Sequence, residues 1–213
     1  MDKIEFYKDL FKIEDKESIK KFLLYNSSLV IAGVKPSATV TVNKMLKDLY
    51  KSWIEYGKDF LEAINLSFIN LREDENALII LIYNNDILKT HIFKTENIEF
   101  LRKLGYEHNN NNISYYVEYL KDRYDEFNCP HELGIFLGIP IDDVKSFMQC
   151  SYKKCLGCGY WKVYSNYEKA IEIFSIYDDV REKTMDKIVE GESIDSIVNN
   201  IIFSNYDNIK VCI

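Results

Sequence analysis

Leu66-Ser67-Phe68-Ile69-Asn70-Leu71-Arg72 and Ala77-Leu78-Ile79-Ile80-Leu81-Ile82-Tyr83, joined by Glu73-Asp74-Glu75-Asn76, decide the fold class. Each flank is an apolar run of strand length, and the four residues between them are polar, as a hairpin turn requires. A hairpin makes two successive strands antiparallel neighbours. Strands therefore do not alternate strictly with helices along this chain, which argues for an α+β fold.

Outward from the hairpin the periodicity turns helical. Asn43–Ile64 reads as one long helix with an apolar face through Met45, Leu49, Trp53, Tyr56 and Phe60. Before it, Leu29–Val34 is a short apolar run closed by Lys35-Pro36-Ser37, read as a strand or buried turn. Pro36 biases Lys35 towards an extended backbone. Asp2–Lys12 and Lys16–Tyr25 read as amphipathic helices. Beyond the hairpin, Asn84–Phe93 fits more than one reading. Thr95–Leu104 is a helix with Thr95 as N-cap and Gly105 as its stop. Asn109–Asn112 is a polar loop, and Ser114–Phe127 is a helix that Pro130 closes. Glu132–Leu137 and Ile141–Gln149 are short helices, Tyr160–Tyr164 a strand, and Asn166–Glu190 a long helix stopped by Gly191. Ser193–Phe203 is the last helix, with Ser193 as N-cap. The expectation is seven or eight helices around a small antiparallel or mixed sheet of three or four strands. They form a single domain over residues 1–213, with a helical N-terminal extension (1–26) and a C-terminal helix (191–213).

The 213 residues are 47% hydrophobic and 29% charged, an ordinary globular composition with enough apolar surface for a core. A net charge of −7 is a poor match to a phosphate backbone, which is bound through clustered Lys and Arg. Nucleic acid is therefore not an expected partner. The start of the chain lacks the basic-then-apolar pattern of a secretory signal, and its apolar runs are too short for a membrane span. Five cysteines in such a chain imply reduced thiols and a cytoplasmic location.

Unusual chemistry concentrates in Cys129–Tyr164, which holds four of the five cysteines, four of the eight glycines and two of the three prolines. Four lysines against three acids make it less acidic than the remainder, which carries −8. Cys155 and Cys158 form a Cys-x2-Cys pair, with Cys150 before it. With Cys129 and His131 they compose a conceivable four-ligand metal set, and Cys212 extends this to a thiolate cluster. The competing reading is a set of incidental thiols. A dithiol redox pair would need a helix after the motif, and a strand follows instead. His131-Glu132 offers an imidazole beside a carboxylate for acid–base work, or simply the first turn of a helix after Pro130. Gly134, Gly138 and Val144 have helix-turn-helix spacing, with Leu133, Leu137, Ile139 and Phe147 as core contacts. Asp142 and Asp143 oppose a DNA-reading second helix, so a helix hairpin used purely for packing is the better reading of that pattern. Lys35 and Lys162 each sit in a structured apolar motif, where a lysine either snorkels or holds an anion. Tyr160, Trp161 and Tyr164 offer flat stacking faces around Lys162. Alternation would turn Trp161 and Val163 inward and Lys162 outward, alongside Tyr160 and Tyr164.

At these motifs the chain resembles a family of uncharacterised proteins common in clostridia and classed as a domain of unknown function. Its members carry stretches similar to Cys-Ala-Pro-Thr-Leu-Ala-Gly-Ile-Lys-Pro, Pro-His-Glu-Ile-Gly-x-Phe-Leu-Gly-Tyr-Pro, Asp-Val-x-Gly-Phe and Gly-Tyr-Trp-Lys-Val-Tyr. The corresponding residues here are Ala32–Pro36, Pro130–Pro140, Asp143-Val144 with Phe147, and Gly159–Tyr164, within a resemblance running from Leu24 to Glu190. The cysteine of the first stretch falls at Ser27, so a nucleophile acting with His131 and Glu132 would have to be Ser27 or Cys158. Cys150 and Cys212 are local additions. The resemblance supplies no activity and no cofactor. What it leaves in common is Lys35, His131, Glu132 and Lys162 among aromatics, the makings of a pocket for a small anionic molecule. A DNA-binding or protein-interaction module and a Ser/Cys–His hydrolase or transferase are the alternatives.

Overall fold

The computed structural model describes residues 3–10, 12, 15–107, 112–149 and 153–203. The hairpin forms as expected: β2 (Ser67–Glu73) and β3 (Ala77–Tyr83) pair antiparallel, and β1 (Ser37–Asn43) adds to the other edge of β3. Asp74 closes the turn, its carboxylate accepting from the N–H groups of Asn76 and Ala77 at 2.9 Å each. Register runs from Ser37 opposite Tyr83 to Asn43 opposite Ala77, and β2 carries a bulge between Asn70 and Arg72.

Side chains alternate across a strand, so the uninterrupted apolar run of β3 can serve two cores. Leu78, Ile80 and Ile82 enter one, and Leu81 and Tyr83 enter the other. The first is built with α1 (Lys3–Leu10), α2 (Lys16–Ile31), α3 (Lys47–Ser52) and α4 (Lys58–Ala63). The second is built with α5 (Asn85–Ile92), α6 (Thr95–Lys103), α7 (Ile113–Phe127), α8 (Leu133–Phe136) and α9 (Ile141–Met148). A two-stranded ribbon of β4 (Gly157–Cys158) and β5 (Lys162–Val163) then returns the chain to the first core. There α10 (Tyr167–Val189) and α11 (Ile194–Phe203) complete the layer. The result is an α+β fold, a sheet between two helical layers. Ile139, in the turn between α8 and α9, packs against both cores. No helix among the described residues is long and apolar enough to cross a membrane.

Leu29–Val34 is not a strand. α2 continues to Ile31, past both the expected helix end at Tyr25 and the expected extension boundary at residue 26. The Ser27 and Ser28 hydroxyls fold back onto Leu23 O and Tyr25 O, at 2.6 and 2.9 Å, so they do not divert the main chain. A short apolar run buried on all sides looks alike as strand or helix. The stop comes at Gly33, whose φ of 71° suits glycine. Gly33 N–H donates to Val30 O and Val34 N–H to Leu29 O, a Schellman closure. The same closure recurs at Gly138, where Gly138 N–H meets Ile135 O and Ile139 N–H meets Gly134 O. Both turns then run into a proline.

The expected helix over Asn43–Ile64 begins four residues later, and Met45 is 74% exposed in the turn before it. Trp53–Gly57 is a π-helical turn between α3 and α4. Trp53 is fully buried there, and a Cβ on Gly57 would lie 2.3 Å from its ring. Gly57→Ala is therefore expected to destabilise the fold by about 1–3 kcal/mol through overpacking, read as a lower urea midpoint. An unchanged midpoint would show that the indole moves aside freely.

The stretch Asn84–Phe93 resolves as α5, capped by Asn84, which accepts from Ile87 N–H. α6 starts at Thr95 with Lys94, not Thr95, at the cap position and no side-chain cap bond. Ser193 Oγ accepts from Ser196 N–H at 3.3 Å, as a cap for α11 should. The strand expected at Tyr160–Tyr164 shrinks to the two residues of β5. Eleven α-helices form among the described residues, more than the seven or eight expected; α5 joins the set and the π turn splits one helix in two. The loop expected at Asn109–Asn112 falls mostly outside the described residues, as do Cys150 and Cys212.

Candidate functional site

Lys35 leaves the Gly33 turn on a fixed backbone: its own N–H and that of Val34 both donate to Leu29 O at 3.1 Å. Its side chain is partly buried. Burial, and then the positive charge of Arg181, push the ammonium down from 10.5 to about 8. Arg181 stands on the inner side of α10. Its guanidinium carbon lies 5.3 Å from the centre of the Tyr160 ring and 5.8 Å from that of Tyr25. Its Nε is buried without a hydrogen-bond partner. Among the described residues neither cation is in an ion pair with a carboxylate. The nearby acid Asp178 accepts from the Tyr160 hydroxyl at 2.9 Å.

The loop that supplies Tyr160 is held by Asp143. This carboxylate, 2% exposed, accepts Trp161 Nε1–H, Tyr164 N–H and Ser165 N–H at 2.8 Å each, and the Ser165 hydroxyl at 2.9 Å. Trp161 is buried edge-on against Phe174, so its ring is a framework piece. Val163 is buried and Lys162 exposed, the alternation expected of the strand. Tyr164, partly buried, contributes its N–H to Asp143. α9 is placed by Gly134, where a Cβ would meet Val144 Cγ2 at 2.8 Å. The exposed positions of α9 are Asp142 and Phe147, while Lys145 is partly buried with its ammonium over Phe100. At the other end of α8, Phe136 O accepts the buried Ser37 hydroxyl at 2.7 Å, tying the Lys35 turn to the central motif.

His131 and Glu132, being adjacent, point to different sides. His131 is exposed and meets the Phe147 ring edge-on at 5.1 Å, and the Lys162 ammonium lies 5.8 Å from the same ring. Phe147, expected in the core, is 43% exposed and links these two residues. Glu132 is buried in an ion pair with Arg123, and the Tyr106 hydroxyl donates to it at 3.5 Å. Burial, and then the Glu132 charge, raise the Tyr106 phenol far above its ordinary value. Ser27 is fully buried with its hydroxyl on Leu23 O, so it is not presented to His131.

Cys129, Cys155 and Cys158 are exposed free thiols. Leu156 N–H donates to Val163 O, which adds one bond to the β4–β5 ladder. Cys155 and Cys158 are not joined in a disulfide. Cys155 Sγ instead contacts Gly157 O at 3.0 Å, and Cys129 Sγ lies 3.9 Å from the Tyr124 hydroxyl. Among the described residues, no three of His, Cys, Asp and Glu are grouped to hold a metal ion.

Sequence reasoning reached Lys35 and Tyr160 but missed Arg181 and the role of Asp143. The available signal for Arg181 was its spacing. It stands four and seven residues after Tyr177 and Phe174, an arginine beside the buried stripe of α10. No curated protein and no solved structure matches the chain. A family model matches residues 23–198, the span that carries the Lys35 turn, the Asp143 anchor and Arg181. The chain thus belongs to the family described as "Protein of unknown function (DUF3793)".

Proposed function

We propose that the protein binds a small anion between Lys35 and Arg181, with Tyr160 and Tyr25 as walls. One observation carries the reading: Arg181, over the Tyr25 and Tyr160 rings with its Nε–H buried and without a hydrogen-bond partner, is the charged neighbour of the partly buried Lys35, and among the described residues neither cation is in an ion pair with a carboxylate. Burying like charges together is unfavourable unless something compensates them. A carboxylate or phosphate oxygen would accept from the free Arg181 Nε–H and relieve both cations. Tyr160 and Lys35 keep the ligand-binding roles expected of them. His131 and Lys162 stand on Phe147 as an exposed neighbourhood, and Trp161 and Asp143 frame the loop. The exposed thiols at Cys129, Cys155 and Cys158 support a reducing compartment such as the cytoplasm.

The test is thermal unfolding with inorganic phosphate or oxalate at constant ionic strength and neutral pH. A ligand that binds only the folded state raises the melting temperature as its concentration rises. The wild type is expected to show that rise, and Lys35→Met and Arg181→Met to lose it. An equal rise in all three proteins would assign the effect to the bulk solvent and overturn the reading.

A further inference from the structure

Residues from the starts of α6 and α9 line one cavity of about 190 Å³, and α10 adds Ile173 and Tyr177 to its wall. The start of α6 is fixed by the buried Asn97 amide, which donates to His91 O at 2.9 Å, and by Lys94 N–H, which donates to the same oxygen at 3.3 Å. The start of α9 follows the Gly138 turn. Lys94 and Pro140 hold the two cap positions, and neither helix has a side-chain cap. The first N–H groups of a helix have no partner within it and carry partial positive charge. Both starts therefore bring open donors to the cavity. Tyr177 adds another: it is 1% exposed, and its hydroxyl makes no hydrogen bond among the described residues. A buried hydroxyl without a partner costs free energy, and a ligand in the cavity can supply the partner.

Charges of both signs face the same space. Lys94, Glu96 and Asp142 line the cavity, and among the described residues none of the three is in an ion pair. An anion alone would meet two carboxylates of its own sign, and a cation alone would meet Lys94 and two helix starts. A zwitterion gains from both sets. The cavity is smaller than the roughly 300 Å³ at which sites for drug-sized ligands begin, so only a few heavy atoms fit, with Ile141 and Ile173 as apolar wall. We infer that this cavity binds a free α-amino acid with a small side chain. Its carboxylate lies on the helix-start N–H groups, Lys94 and the Tyr177 hydroxyl, and its ammonium on Glu96 and Asp142. Neither Lys35 nor Arg181 lines this cavity, so the inference stands apart from the anion reading.

Calorimetric titration with L-alanine tests this, with propionate and ethylamine as ligands that carry one charge each. All three are measured in the Lys35→Met protein at neutral pH and constant ionic strength, so the site at Lys35 and Arg181 does not contribute. Alanine is expected to bind saturably, and propionate and ethylamine at least tenfold more weakly, since each lacks one charge-assisted set of hydrogen bonds. Lys94→Met and Asp142→Asn, at a partly buried and an exposed position, are each expected to weaken alanine binding by about tenfold. Tyr177→Phe keeps the ring and is expected to weaken it by about fivefold. Circular dichroism checks that each variant is folded. Propionate binding as tightly as alanine would make the cavity a plain anion site and overturn the inference. Alanine binding unchanged by both Lys94→Met and Asp142→Asn would put the ligand elsewhere, and no binding of alanine, glycine or serine would leave the cavity without this role; either result overturns the inference too. The phosphate response of Lys94→Met should match that of the wild type, so the anion reading stands or falls separately.

Discussion

Lys35→Met is expected to stabilise the ligand-free protein at pH 7 by about 2–3 kcal/mol, an unusual sign for a substitution at a partly buried position. The reason is linkage. In the unfolded chain Lys35 titrates at its ordinary 10.5, and in the folded protein at about 8. Between these values the unfolded state holds a proton that the folded state has released, so stability rises with pH across that window. Below about pH 8 both states are protonated, and the folded state bears the whole cost of a partly buried charge beside Arg181. Methionine fills a similar volume without that cost. The advantage of the variant should therefore be greatest below pH 8 and fade as pH approaches 10.5. Urea unfolding of both proteins from pH 7 to pH 10 measures it, and the comparison cancels groups that titrate alike in the two. Phosphate should narrow the gap at pH 7, because only the wild type gains a counter-ion. A methionine variant that is less stable than wild type at every pH would mean that Lys35 is already compensated in the fold.

Much of this was legible from local pattern. The hairpin could be read because two strand-length apolar runs flank a four-residue polar turn, and Asp74 closes that turn through hydrogen bonds within it. The inward Trp161 and Val163 and the outward Lys162 followed from period-two alternation alone. Lys35 drew notice as a charge inside an apolar turn. What stayed hidden depends on contacts distant in sequence. Whether Leu29–Val34 is helix or strand is decided by burial on all sides, which a short apolar run does not reveal. Arg181 acquires its meaning from Lys35 and Tyr160, and nothing local separates it from a solvated helix arginine. Asp143, two residues into α9, reads as an ordinary dipole-favoured acid until Trp161 and Ser165 come back to meet it.

Asp143→Ala is expected to be the most damaging change in the central motifs, costing about 3–5 kcal/mol. It removes the shared acceptor of four hydrogen bonds and leaves the buried Trp161 indole N–H with nothing to meet. A charged acceptor strengthens each of these bonds, and the buried Trp161 indole has no ready access to water. Asp143→Asn separates shape from charge. One amide oxygen can still accept from Tyr164 and Ser165, but the amide NH2 then faces the Trp161 N–H, donor against donor. Its expected cost is about 1–3 kcal/mol. Trp161→Phe removes the opposing donor, so Asp143→Asn should cost less in that background, with a coupling of about 1 kcal/mol or more. Urea unfolding gives all four corners of the cycle. Independent costs would mean that Trp161 is held by packing against Phe174 and that Asp143 anchors only the turn at Ser165. Coupled costs would tie the indole to α9, and with it the loop that positions Tyr160 beside Arg181.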